Sequence, residues 1–143
     1  MYTEDFRRMM TKIGIPDTRV IEKTPLELHD PEVIAKAGMI DFYSITMRAF
    51  KVDLEDICED YGHVAYYNGT IPEHAHSFTL DDHHVFKTGM PVPVCGNTAN
   101  MLSQTRFSKH FRIEGDFSTH YGVFDCAPQT ATSTAIPASG ACC

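Results

Sequence analysis

The chain has 143 residues and a net charge of −7 with histidine neutral, room for one ordinary domain or a small domain with an appendage. Hydrophobic residues at 43% and charged residues at 22% predict a true core. The acidic balance argues against a sequence-independent nucleic-acid binder, which needs a basic surface, and against electrostatic docking on an anionic membrane.

No apolar run approaches the roughly 20 residues that span a bilayer. The first residues, MYTEDFRRMM, lack the basic-then-apolar profile of a secretory signal. The expected address is the cytoplasm, where thiols stay reduced. The cysteines are Cys58, Cys95, Cys126, Cys142 and Cys143, an odd set with two neighbours, which reads as thiols rather than a disulfide framework.

The first element is a helix, with Thr3 as the expected N-cap and Glu4 and Asp5 where negative charge suits the dipole. Phe6, Met9, Met10 and Ile13 form one apolar stripe, Gly14 takes the left-handed end and Pro16 prevents resumption. TRVIEK (18–23) predicts a strand. Asp30 as cap and Pro31 at the first position predict a short helix closing at Gly38. IDFYSITMRAFKV (40–52) is apolar on both alternation sets, so it predicts a strand covered on both faces, as inside a layered α/β sheet. Residues 1–52 therefore read as the end of a larger α/β domain, and the acidic DLEDICED (53–60) marks a boundary.

Residues 53–126 read as a small α+β domain, mostly β. HVAYYNGTI (63–71) carries the Asn68-Gly69 turn signal, and SFTL (77–80) and HHVF (83–86) are short extended runs. Asn97 or Thr98 is the expected cap of a short helix, TANMLSQT. FRIEGDFSTHYGVFDC (111–126) reads as a hairpin turning at Gly115-Asp116. The tail, residues 127–143, is small, polar and proline-punctuated, and is expected to be disordered.

The chain has no G-x-G-x-x-G, phosphate loop or G-x-S-x-G elbow, so nucleotide binding and serine hydrolysis have no motif to stand on. Two constellations remain. His74 and His76, at i and i+2 on an extended segment, face the same way and suit one metal, with Asp81, Asp82 or His83 completing the shell. The alternative for these histidines is a polar surface turn. Cys142 and Cys143 suit one soft acceptor, with Cys126 or Cys95 as a third thiolate. The tether from Cys126 reaches roughly 20–25 Å, and closing it costs on the order of 2–3 kcal/mol, little beside thiolate coordination. Cys58, between acids and beside Ile57, reads as a small core residue.

These residues resemble the C-terminal part of the arsenite S-adenosylmethionine methyltransferases. YTEDFRRMMTKIGIPDTRVIEKTPLEL is similar to the last helix and penultimate strand of their class I (Rossmann-like) sheet. DPEVIAKAGMIDFYSITMRAFKV resembles the segment leading into the last core strand, which inserts antiparallel. EDYGHVAYYNGTIPEHAHSFTLDDHHVFKTGMPVPVCGNTANML, SQTRFSKHF and the cysteine-rich end are similar to the family's own C-terminal domain.

The resemblance implies that thiolates take As(III) and that the arsenic lone pair attacks the methyl group of S-adenosylmethionine, the cofactor implied by family only. As arsenic contacts it carries over Cys126, Cys142, Cys143 and Cys95. The family's cofactor-binding half is expected N-terminal to Met1, so the chain alone is expected to be inactive. No residue is assigned to methyl transfer, because the family's cysteine near the last core strand has no match at its candidate positions, Ile40 and Ile45, and Ala49 stands where some members have another cysteine.

Expected partners are As(III) or its thiol conjugates, and the absent half or a second copy of the chain. Two alternatives stay open: a stand-alone thiol-based As(III)-binding accessory module, and a β domain holding a metal on His74, His76 and His83. The two-faced strand also predicts that residues 1–52 either meet a partner or fold back onto the β domain, since several exposed large side chains would cost several kcal/mol.

Overall fold

The computed structural model describes residues 1–126, so the expectations for the tail, Cys142 and Cys143 included, lie outside the described residues. Helix α1 (Thr3–Lys12) has Glu4 and Asp5 in its first turn and Lys12 in its last, each favourable to the helix dipole. Thr3 is its first helical residue and not its cap. Tyr2 holds that place with no side-chain cap, so charge supports this end. Gly14, at φ +85°, turns the chain into β1 (Thr18–Pro25).

Helix α2 (Pro31–Ala37) starts as its sequence dictates. The Asp30 carboxylate accepts the N–H groups of Glu32 and Val33 at 2.8 and 3.2 Å, and Pro31 fills the first position. Strand β2 (Tyr43–Ala49) then runs antiparallel along β1, from Pro25↔Tyr43 to Thr18↔Ala49, with an irregularity between Val20 and Glu22. The expectation of a strand covered on both faces over 40–52 needs correction. Among the described residues β1 is the only strand beside β2, and its side chains are half-buried or exposed.

The rest of the chain builds strands β3 (Glu59–Asp60), β4 (His63–Tyr67), β5 (Ser77–Thr79), β6 (Val85–Lys87) and β7 (Pro91–Val94), then α3 (Gly96–Ser103), β8 (Phe111–Glu114) and β9 (Gly122–Val123). β4 is central, antiparallel to β7 on one side and β8 on the other. Its alternation puts His63, Ala65 and Tyr67 inside. β5 pairs with β6, and β3 with β9. The fold is thus mixed α+β, with three helices and small sheets among the described residues.

The hairpin expected over 111–126 does not form. Phe111 and Ile113 belong with the β4 core, so β8 pairs there, and the chain after Gly115 crosses over to reach β3. Gly115 sits at φ +100°, where a Cβ would come within 3.2 Å of the Gly62 carbonyl oxygen.

The core joins Tyr67, Phe78, Leu80, Phe86, Met101, Leu102, Phe107 and Phe111, and Phe50 enters it from the stretch after β2. Each such side chain contributes about 1.5–3 kcal/mol when fully buried. Residues 1–52 therefore do reach the β domain, through Phe50 and through the buried Arg19 described below. No helix among the described residues is long and apolar enough to cross a membrane.

Candidate functional site

Three thiols converge. The Sγ atoms of Cys58, Cys95 and Cys126 all lie within 4.8 Å of one another; Cys58 and Cys95 are buried and Cys126 is half-buried. A centre bonded to each sulfur at about 2.3 Å, a zinc–thiolate length, sets the sulfurs about 3.4–4.0 Å apart, so small side-chain rotations close the triangle.

The topology explains the convergence. β3 and β9 are antiparallel, with Glu59 opposite Val123, and the Phe124 N–H extends the ladder by donating to the Cys58 carbonyl at 2.8 Å. The residue before β3 and the residues after β9 thus meet at one end of the ribbon. Cys95 arrives from the other side, as the N-cap of α3.

That cap position overturns the expectation of Asn97 or Thr98 and gives Cys95 its donors. Its sulfur accepts the Thr98 N–H at 3.4 Å and lies 3.3 Å from the Thr98 hydroxyl. The neighbouring Cys126 and Cys58 thiols hold the Cys95 thiol far below the ordinary thiol range, helped by Thr98 and Arg19 and opposed by burial. A thiolate at a helix N-terminus is in a favourable field.

Arg19, fully buried on β1, is the cation nearest that sulfur. Its Nε and Nη2 form a bidentate pair with Asp17 at 2.8 and 2.7 Å, Nη1 reaches Asp81 at 3.2 Å, and Nη2 stands 3.9 Å from Cys95 Sγ. Burial works against its charge, but Asp17 above all, then the Cys95 sulfur and Asp81, outweigh it and Arg19 stays charged. Asp81 also accepts the N–H groups of His83 and His84 at 2.9 and 2.7 Å.

Asn97 completes the frame. Its amide donates to Asp17 at 3.1 Å and to the Glu55 carbonyl at 2.9 Å, and its oxygen accepts the Glu55 N–H at 2.8 Å, which fixes the loop that carries Cys58. Tyr61 and Phe117, ring centroids 4.7 Å apart, cover the first turn of α3, where only glycine fits at position 96.

The structure therefore brings together two of the expected arsenic contacts, Cys95 and Cys126, and adds Cys58, which was read as core. It is buried, as core residues are, and it is also in the triangle. Its signal was its place one residue before a strand whose partner runs into Cys126. Asp17 and Arg19 were also missed. Arg19 is one of three charged residues in the strand TRVIEK, so the sequence alone does not single it out.

The histidines do not converge as expected: among the described residues the cysteine triangle is the only three-ligand group. His74 and His76 are exposed, and the His74 ring meets Phe78 edge-on at 5.9 Å. His83 Nε2 stands 3.5 Å from Asp82.

The cavity beside the end of β2 is lined by Arg48, Lys51 and Arg106, three cations that repel the sulfonium of S-adenosylmethionine.

Residues 62–133 match the family described as the arsenite methyltransferase C-terminal domain. The arsenite methyltransferase of Aquipseudomonas alcaligenes is 44% identical over 147 aligned residues, which take in 100% of this chain and 42% of that protein. The mouse arsenite methyltransferase is 30% identical over 78% of this chain and 29% of its own length. Among solved structures, an arsenic (III) S-adenosylmethionine methyltransferase from Chlamydomonas reinhardtii superposes with a TM-score of 0.84 at 48% identity, covering 87% of this chain and 42% of that one. The chain thus spans less than half the length of these relatives.

Proposed function

The chain belongs to the arsenite methyltransferase family, and from that premise we propose that it binds As(III) on Cys58, Cys95 and Cys126 for methylation by S-adenosylmethionine. The observation that carries this reading is the thiol triangle, since soft sulfur donors select soft acceptors and three of them satisfy a trivalent centre. Arsenous acid reacts with three thiols to form three As–S bonds and release three waters. The product carries no net charge, which suits a mostly buried site.

Each supporting group then has a task. The Thr98 N–H and Arg19 favour sulfur as thiolate at Cys95, and Asn97 holds the Cys58 loop in register. Cys142 and Cys143 are the capture thiols, delivering arsenic from solution to the triangle.

In this reading residues 1–52 are the last part of a Rossmann-like methyltransferase domain, 53–126 its C-terminal domain and 127–143 a tether. S-adenosylmethionine, which supplies the methyl group, binds on other residues of the complete enzyme. The expected setting is the cytoplasm, in arsenic detoxification.

The test is arsenic stoichiometry on the full chain. One As(III) per chain is expected, lost in Cys95→Ser and kept in the double variant Cys142→Ser/Cys143→Ser, which slows loading only. Methyl transfer by the chain alone should be undetectable. Stoichiometric binding that survives loss of all three triangle thiols contradicts the reading.

A further inference from the structure

A second site lies at the other end of α3. Arg48, Lys51 and Arg106 line one open cavity of about 430 Å³ between the end of β2 and the segment following α3, and no carboxylate belongs to its lining. The chain has six arginines. Arg7, Arg8, Arg19 and Arg112 each pair with a carboxylate. The remaining two, Arg48 and Arg106, both face this cavity, and among the described residues neither has a carboxylate at ion-pair distance. In a chain of net charge −7, the two arginines without a carboxylate partner share one concavity with Lys51, and that needs a reason.

Capping α3 is not that reason. Among the described residues neither Arg48 nor Arg106 donates to a carbonyl of α3; those of Ala99, Asn100 and Met101 accept from the Ser103 hydroxyl at 2.7 Å, the Gln104 N–H at 2.9 Å and the Thr105 hydroxyl at 2.6 Å. The two guanidinium groups are instead set against one ring. Arg48 lies 5.6 Å and Arg106 5.1 Å from the Phe107 centroid, and Arg48 also donates to the Leu80 carbonyl. Burial, then the charge of Arg106, pushes the Arg48 pKa down. Two like charges held against a shared aromatic surface repel each other until an anion comes between them.

We propose that this cavity binds a small, multiply charged oxyanion of the phosphate or carboxylate class, held by Arg48, Arg106 and Lys51. Guanidinium forks match two oxygens of either group, and Lys51 adds a mobile point charge. The site is separate from the thiols, since Cys95 caps the first turn of α3 and Gln104–Arg106 follow its last.

Calorimetric titration of the full chain at low salt, with inorganic phosphate in one arm and citrate in another, tests this. Binding is expected to weaken about tenfold in Arg106→Gln, the share of one charge-assisted fork, and about threefold in Lys51→Gln. Both residues are exposed, so both variants fold even if Arg48→Gln does not. Cys58→Ser should bind the anion as the parent does. Binding of phosphate alone, citrate alone or both supports the site and identifies the tetrahedral or planar source. No binding in either arm, equal binding of chloride, or unchanged affinity in Arg106→Gln overturns it.

Discussion

Arg19 Nη2 stands 3.9 Å from Cys95 Sγ, so a strand near the start of the chain donates to a thiol 76 residues further on. The same guanidinium neutralises Asp17 and Asp81, both buried. Arg19→Met strands two carboxylates in the interior and should cost about 3–5 kcal/mol in urea unfolding. Arg19→Lys should recover only part of this, since an ammonium cannot make the fork to Asp17. Full recovery by lysine would mean that charge alone matters there.

Asn97 touches none of the thiols, yet it holds the loop that leads to Cys58. Asn97→Ala leaves the Glu55 N–H and Asp17 without their amide partner and should cost about 1–3 kcal/mol. As(III) affinity should fall by a larger factor than in a surface control of equal stability, because the triangle loses its register. Equal losses in both would reduce Asn97 to a structural role.

Much of the architecture was legible from local chemistry. Asp30-Pro31 and Gly38 mark α2, and Gly14 ends α1, because caps and left-handed turns are written in a few adjacent residues. What depended on distant partners was not legible. β8 leaves β9 for β4 because Phe111 is buried and Ile113 half-buried against the β4 core, which no spacing within 111–126 reveals. Cys58 and Arg19 have the same history. Their neighbours read as acid-flanked core and as plain strand, and their roles arise only when β9 and α3 fold against them.

Gly96 lets Tyr61 and Phe117 pack over the first turn of α3. A Cβ there would approach Tyr61 to 2.9 Å and Phe117 to 3.0 Å, so Gly96→Ala should cost about 1–3 kcal/mol by overpacking, despite the better helix propensity of alanine. A thermal unfolding midpoint equal to or above the parent's would show that the rings move aside freely.

His63 gives the protein an acid-sensitive element. It is buried, its Nδ1 has no hydrogen-bond partner among the described residues, and burial pushes its pKa below 6.5 against the pull of Asp116, Cys95 and Asp60. The folded state favours the neutral ring, so its contribution is complete above about pH 6.5 and is lost as pH falls from there toward the folded pKa. Asp81 acts in a separate window. Burial raises its carboxyl, but the bonds from His84 and the charge of Arg19 outweigh that and leave it below 3.8, so its contribution is lost only in stronger acid. In His63→Phe, which keeps a ring against Phe117, the urea midpoint should stay flat between pH 7 and pH 5, where the parent declines. An equal decline in both would assign the slope to another group.

In the proposed function arsenic resides at Cys58, Cys95 and Cys126. Loading the full chain with one equivalent of arsenite, alkylating briefly and mapping modified cysteines by mass spectrometry reads that directly. The expected result is protection of these three, with Cys142 and Cys143 still reactive. Protection of Cys142 and Cys143 alone, or alkylation of Cys95 and Cys126 at their arsenite-free rates, would contradict it.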